Sequence, residues 1–150
     1  MYFSIGAHPA FNCNLGDTLT FEYDETLYSE RIDRDSVITG DKDLILQNSN
    51  KIELTEHLFD KDALIFSNVK SNYVILNEKK AGKHIRFTFG DSPFLAIWAK
   101  PAAPFVCIEP WYGVNDSYEK ATDFSKKRGI QKLSSGKEFE FSWSAEFKED

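Results

Sequence analysis

The sequence predicts an all-β protein, a sandwich or a barrel, and three observations carry that expectation. Apolar and polar residues alternate with the two-residue period of a half-buried strand along several segments. Other segments are short unbroken apolar runs, the pattern of strands covered on both faces. Clusters of Gly, Pro, Asp and Ser separate these runs at short intervals, as turns between many short strands require.

In chain order, residues 1–5 already read as a strand with no polar lead-in, which hints that the natural fold begins upstream. Residues 19–23 alternate, and Thr39-Gly40-Asp41 is a turn signal. The segment 53–61 is the one place where one or two helical turns are expected. Residues 63–66 and 73–76 are continuous apolar runs. A turn signal at Ala81-Gly82-Lys83 precedes residues 84–89, where Ile85, Phe87 and Phe89 share one face. Gly90-Asp91-Ser92-Pro93 and Lys100-Pro101 bracket the apolar run 94–98. A further run, 105–108, ends at Glu109, and Pro110 is expected to stop the strand ladder there. After Ser134-Ser135-Gly136, residues 139–145 alternate cleanly and predict a last strand. Residues 1–150 read as a single domain, without repeat, low-complexity tract or linker.

Composition narrows the function classes. The chain is 41% hydrophobic and 28% charged, enough apolar material for a core. Aromatics make up 15% and thirteen of these residues are Phe, which favours pleated surfaces. A net charge of −6 argues against nucleic acid and against a polybasic membrane anchor. The one basic run, Lys126-Lys127-Arg128, reads as a solvated loop. No segment has the length of a membrane span and no signal-peptide pattern opens the chain, so a soluble cytoplasmic protein is expected. The two cysteines, Cys13 and Cys107, show no metal-ligand spacing and read as buried free thiols. His57 and His84 lack a partner histidine at zinc-site spacing, and His84 shares a face with Arg86 and Thr88 that reads as exposed. No metal and no organic cofactor are expected. Serine-nucleophile and phosphate-cradling motifs are absent from the sequence.

Two positions break the local rules. His8 precedes Pro9, which pushes it into extended backbone, and small residues flank its ring. It is either an ordinary turn histidine or an acid–base group. Glu109 ends a wholly apolar run, where an unpaired carboxylate costs several kcal/mol to bury. It is either a structural carboxylate bonded to a neighbour or a general base beside Trp111 and Tyr112.

Four strings together resemble the aldose 1-epimerase (galactose mutarotase-like) family, most closely its LacX-like branch. They are Phe3-Ser4-Ile5-Gly6-Ala7-His8-Pro9-Ala10-Phe11, Asp62-Ala63-Leu64-Ile65-Phe66, Ile97-Trp98-Ala99-Lys100-Pro101 and Pro104 through Gly113 with its Glu-Pro-Trp-Tyr-Gly core. They occur in the family's order and span most of the chain. The resemblance implies an antiparallel β-sandwich of the supersandwich type, of which this chain matches the C-terminal half. It implies interconversion of the α and β anomers of a hexose, with His8 as general acid and Glu109 as general base. It also implies sugar binding by Asp62, with Asp60 as the alternative, and Trp111, Tyr112 and Trp98 as aromatic surface. The family's N-terminal part, which supplies an Arg and a further His to the sugar site, has no counterpart in these residues. Half a sandwich leaves strand edges bare, so self-association into a homo-oligomer is expected. A non-catalytic carbohydrate-binding module, a hexose-6-phosphate 1-epimerase and a purely structural domain are the competing readings.

Overall fold

The computed structural model describes residues 1–79, 82–119, 121 and 123–149. The strands are β1 (Tyr2–Phe3), β2 (Ile5–Gly6), β3 (Ala10–Asn12), β4 (Thr18–Ile32), β5 (Ile38–Glu53), β6 (Leu64–Ser67), β7 (Tyr73–Asn77), β8 (Lys83–Thr88), β9 (Phe94–Trp98), β10 (Phe105–Tyr112), β11 (Gln131–Lys132) and β12 (Ser144–Glu149). A single 3-10 turn covers Phe124–Lys126.

Ten strands form one antiparallel sheet in the order β12-β8-β7-β4-β6-β9-β10-β2, with β3 also on β10 and β5 also on β4. The 15-residue β4 is the pivot. Its first residues pair with β7 and its last with β6, so the sheet turns a corner along this one strand. Register shifts between β4 and β5 mark where the ladder gives way to the bend. The two ends of the sheet then meet. Phe11 on β3 stacks edge-on against Phe87 on β8 at 5.6 Å between centroids, and Phe147 on β12 joins them.

The core lies inside this curl. Leu19, Phe21, Val74, Leu76 and Phe87 line one wall, and Phe66, Leu95, Ile97, Val106 and Ile108 line the other. Their alternate neighbours on β9 and β10 face the opposite way. There Phe94 packs with Ile38 and Val114, with Trp111 at the edge. The strand pattern thus divides β10 into a core face (Val106, Ile108) and a second face carrying Cys107, Glu109 and Trp111.

Several expectations need correction. Pro110 does not stop the ladder, because β10 runs on to Tyr112 and Pro110 pairs with Leu95. Its missing N–H falls on the side where β2 gives way to the His8 segment, and its carbonyl accepts from the Ala7 N–H at 3.1 Å. Residues 139–143 form no ladder, and β12 starts only at Ser144. The alternation there serves packing instead. Phe139 meets Phe3 and Tyr112, Phe141 meets Tyr112, and Trp143 meets Phe87. The turn expected at Thr39–Asp41 lies inside β5, with Gly40 at φ +95°. In place of helix, residues 55–62 hold successive three-residue turn hydrogen bonds (Leu58 to Thr55, Asp60 to His57, Asp62 to Phe59). Of the expected turn at 81–83, Ala81 lies outside the described residues. The basic run is engaged on both later residues, Lys127 with Asp116 and Arg128 with Glu30.

Buried carboxylates fasten the loops to this sheet. Glu25 on β4 accepts from the Lys70 N–H (3.0 Å), the Ser71 N–H (2.8 Å) and the Ser71 hydroxyl (2.8 Å), pinning the β6–β7 connection. Glu25→Ala leaves these donors without their acceptor and should lower stability by about 3 kcal/mol. Urea denaturation followed by tryptophan fluorescence checks this; an unchanged midpoint would contradict the pinning role.

Candidate functional site

Glu109 is placed by strand pairing. It sits opposite Ala96 on β9, a small side chain that leaves room above the sheet. The Glu109 carboxylate is only 4% exposed, whereas the His8 ring is 63% exposed. Between β2 and β3 the chain leaves regular pairing with β10, and His8 lies in that gap. The gap is closed at both ends, since Ala7 donates to the Pro110 carbonyl and Ile108 donates to the Pro9 carbonyl at 3.2 Å. Held this way, His8 Nε2 stands 3.3 Å from Glu109 Oε1. The Trp98 ring meets the imidazole edge-on at 6.3 Å.

A depression of about 450 Å³ opens over the pair. Gly6, Ala7, His8, Glu109, Trp111 and Asn115 are among the residues that line it. Gly6 is needed because a Cβ there would lie 2.7 Å from Trp111 Cδ1. A larger groove, about 1060 Å³, runs past Phe11, Ile85 and Phe147 and contains neither His8 nor Glu109.

The site residues named from sequence fall into two groups. His8, Glu109 and Trp111 come together. Tyr112, next on the strand, also lines the depression, while its ring packs against Phe139 and Phe141 and its hydroxyl donates to Asp91. Burial, then that carboxylate, pushes the Tyr112 phenol up to about 12. Asp62 stands just before β6, at φ +83°, and its carboxylate accepts from the Ala63 N–H. Asp60 is paired with His57. Neither aspartate lines the depression. Cys107 is the buried free thiol the sequence predicts, but its place beside Glu109 and His8 is what sequence reasoning missed. It lies two positions before Glu109, on the same face of β10, and that spacing was the available signal. Burial first, then the Glu109 charge, pushes its thiol up to about 11.

Burial also dominates at Glu109 and raises its pKa above the usual carboxylate range. The His8 charge and hydrogen bonding from the Trp111 side chain pull in the other direction. A carboxyl that holds its proton more tightly when folded stabilises the fold less as it ionises.

No protein-family model matches the chain. Two solved structures share its architecture. One is a galactose mutarotase related enzyme from Lactobacillus acidophilus, with a TM-score of 0.88 and 29% identity, matched over 99% of this chain and 52% of that one. The other is a galactose mutarotase-like protein from Lactobacillus casei, with a TM-score of 0.86 and 29% identity over 99% of this chain and 54% of that one. The fold is galactose mutarotase-like. By sequence the chain resembles curated relatives. It is 34% identical over 143 residues to LacX of Lactococcus lactis subsp. lactis, in both plasmid and chromosomal forms, which covers 89% of this chain. It spans about half the length of these curated relatives, 48% of each. Among the described residues no helix is long and apolar enough to cross a membrane.

Glu109→Gln cannot ionise. Because the folded-state pKa is raised, wild-type stability falls as pH climbs from the ordinary glutamate range through the raised value, and levels off above it. The variant should therefore gain thermal stability relative to wild type across that window. Melting temperatures from pH 4 upward check this; a difference independent of pH would contradict the raised pKa.

Proposed function

We propose that the chain carries the acid–base pair of an aldose 1-epimerase, with Glu109 as base and His8 as acid acting on a hexose. The observation that carries this reading is the contact at 3.3 Å between a buried carboxylate and an exposed imidazole under an open depression. Mutarotation removes the proton of the anomeric hydroxyl and delivers one to the ring oxygen. Both oxygens are bonded to the same carbon, so an acid and a base that touch each other can serve them together. Glu109 takes the O1 proton as the C1–O5 bond breaks, and His8 protonates O5. Rotation about C1–C2 followed by the reverse transfers closes the other anomer. The proton count balances without a cofactor. A raised carboxyl pKa brings the base closer to the operating pH. The names of the LacX and mutarotase-like relatives support a carbohydrate role.

Neutral sugars fit better than sugar phosphates. Among the described residues no Lys or Arg lines the depression. The cations Lys127 and Arg128 are already paired with Asp116 and Glu30. A phosphate entering here would have no free counter-charge from these groups.

Polarimetry on freshly dissolved α-glucose and α-galactose tests the proposal. Wild type should accelerate anomer exchange, and both Glu109→Gln and His8→Asn should lose a factor of roughly 10²–10⁴. Wild-type turnover in Glu109→Gln would overturn the assignment. Saturable sugar binding without acceleration would make the chain a binding module.

A further inference from the structure

Three donor atoms of different chemistry converge beside the depression, two of them from residues that line it. The ligand atoms of His8, Cys107 and Glu109 all lie within 4.8 Å of one another. This is the one such cluster of His, Cys, Asp or Glu found among the described residues. β10 supplies two members, two residues apart on one face, and the N-terminal end of the chain supplies the third.

The geometry is close to what a tetrahedral ion needs. Zinc bonds of about 2.0–2.3 Å place neighbouring ligand atoms roughly 3.3–3.6 Å apart. His8 Nε2 and Glu109 Oε1 already stand at 3.3 Å. The thiol sulfur therefore has at most about 1.2 Å to close from the 4.8 Å limit. Rotation of the exposed His8 ring can shorten its distance to the sulfur, and the side-chain torsions of Cys107 and Glu109 must shorten theirs. The backbones of Cys107 and Glu109 are fixed on the strand. A sulfur, nitrogen and oxygen donor set favours zinc-class cations over magnesium or calcium, which want all-oxygen shells.

We propose that His8, Cys107 and Glu109 form a three-ligand site for a zinc-class divalent cation, with the fourth position open to the depression. Binding expels the Cys107 thiol proton to solvent, since the thiolate is the ligand. The ion occupies the lone pairs that Glu109 and His8 need as base and acid. Zinc is therefore an inhibitor that chelation reverses. That consequence rests on the proposed acid–base function, whereas the binding site itself does not.

Cobalt(II) titration of the purified 150-residue chain tests the site without any catalytic readout. Wild type should bind one Co²⁺, give the near-ultraviolet thiolate-to-cobalt charge-transfer band, and lose it to added Zn²⁺. Cys107→Ser should lose the band. His8→Asn, at an exposed position that does not threaten folding, should bind Co²⁺ more than about 10-fold more weakly. A wild-type titration without the thiolate band would overturn the proposal. So would a band that survives Cys107→Ser, or unchanged affinity in His8→Asn. If polarimetry finds no anomer exchange, the cobalt result still stands or falls alone.

Discussion

A carboxylate held on the second face of an otherwise apolar strand is the constraint around which this region is arranged. Glu109 sits at the end of a run whose core-side members, Val106 and Ile108, are buried. An ionised carboxyl in such surroundings needs a partner. The structure supplies the His8 ring and the Trp111 side chain, yet desolvation still outweighs them. The surrounding features serve that balance. Ala96 leaves the floor open, Gly6 lets the indole of Trp111 lie close, and the break between β2 and β3 lets an exposed imidazole reach a buried acid.

The rest of the fold fixes the two halves of that contact against each other. β10 is anchored on one edge by β9, while the segment from β2 to β3 is tied to its other edge by backbone bonds on both sides of His8. The long β4 turns the sheet so that its ends close over the aromatic cluster of Phe11, Phe87 and Phe147. The Tyr112 ring packs the end of β10 against Phe139 and Phe141, and its hydroxyl is held by Asp91.

Much of this was legible in the sequence because burial writes a period into a strand. The runs that became β6, β7, β8, β9 and β10 were readable for that reason, and so were the two rule-breaking residues, His8 before a proline and Glu109 after an apolar run. What escaped had physical causes. Among the described strands β5 pairs with β4 alone, and much of its length is exposed and polar, so no apolar pattern announced its 16 residues. The alternation at 139–143 was real but answered to aromatic packing rather than to a ladder. Pro110 was misjudged because sequence does not tell which neighbour a strand edge will lack. The Cys107 contact was invisible because it depends on which distant segment meets β10.

The central claim is that one buried carboxyl both carries the rate and holds its proton unusually tightly. Carbon-13 NMR of the Glu109 side-chain carboxyl, titrated beside the pH dependence of glucose anomer exchange, tests it most directly. The account predicts that Glu109 titrates above the ordinary glutamate range and that the rate rises with pH through the same midpoint. A Glu109 that titrates like an exposed glutamate, or a rate whose midpoint is indifferent to it, would contradict the account.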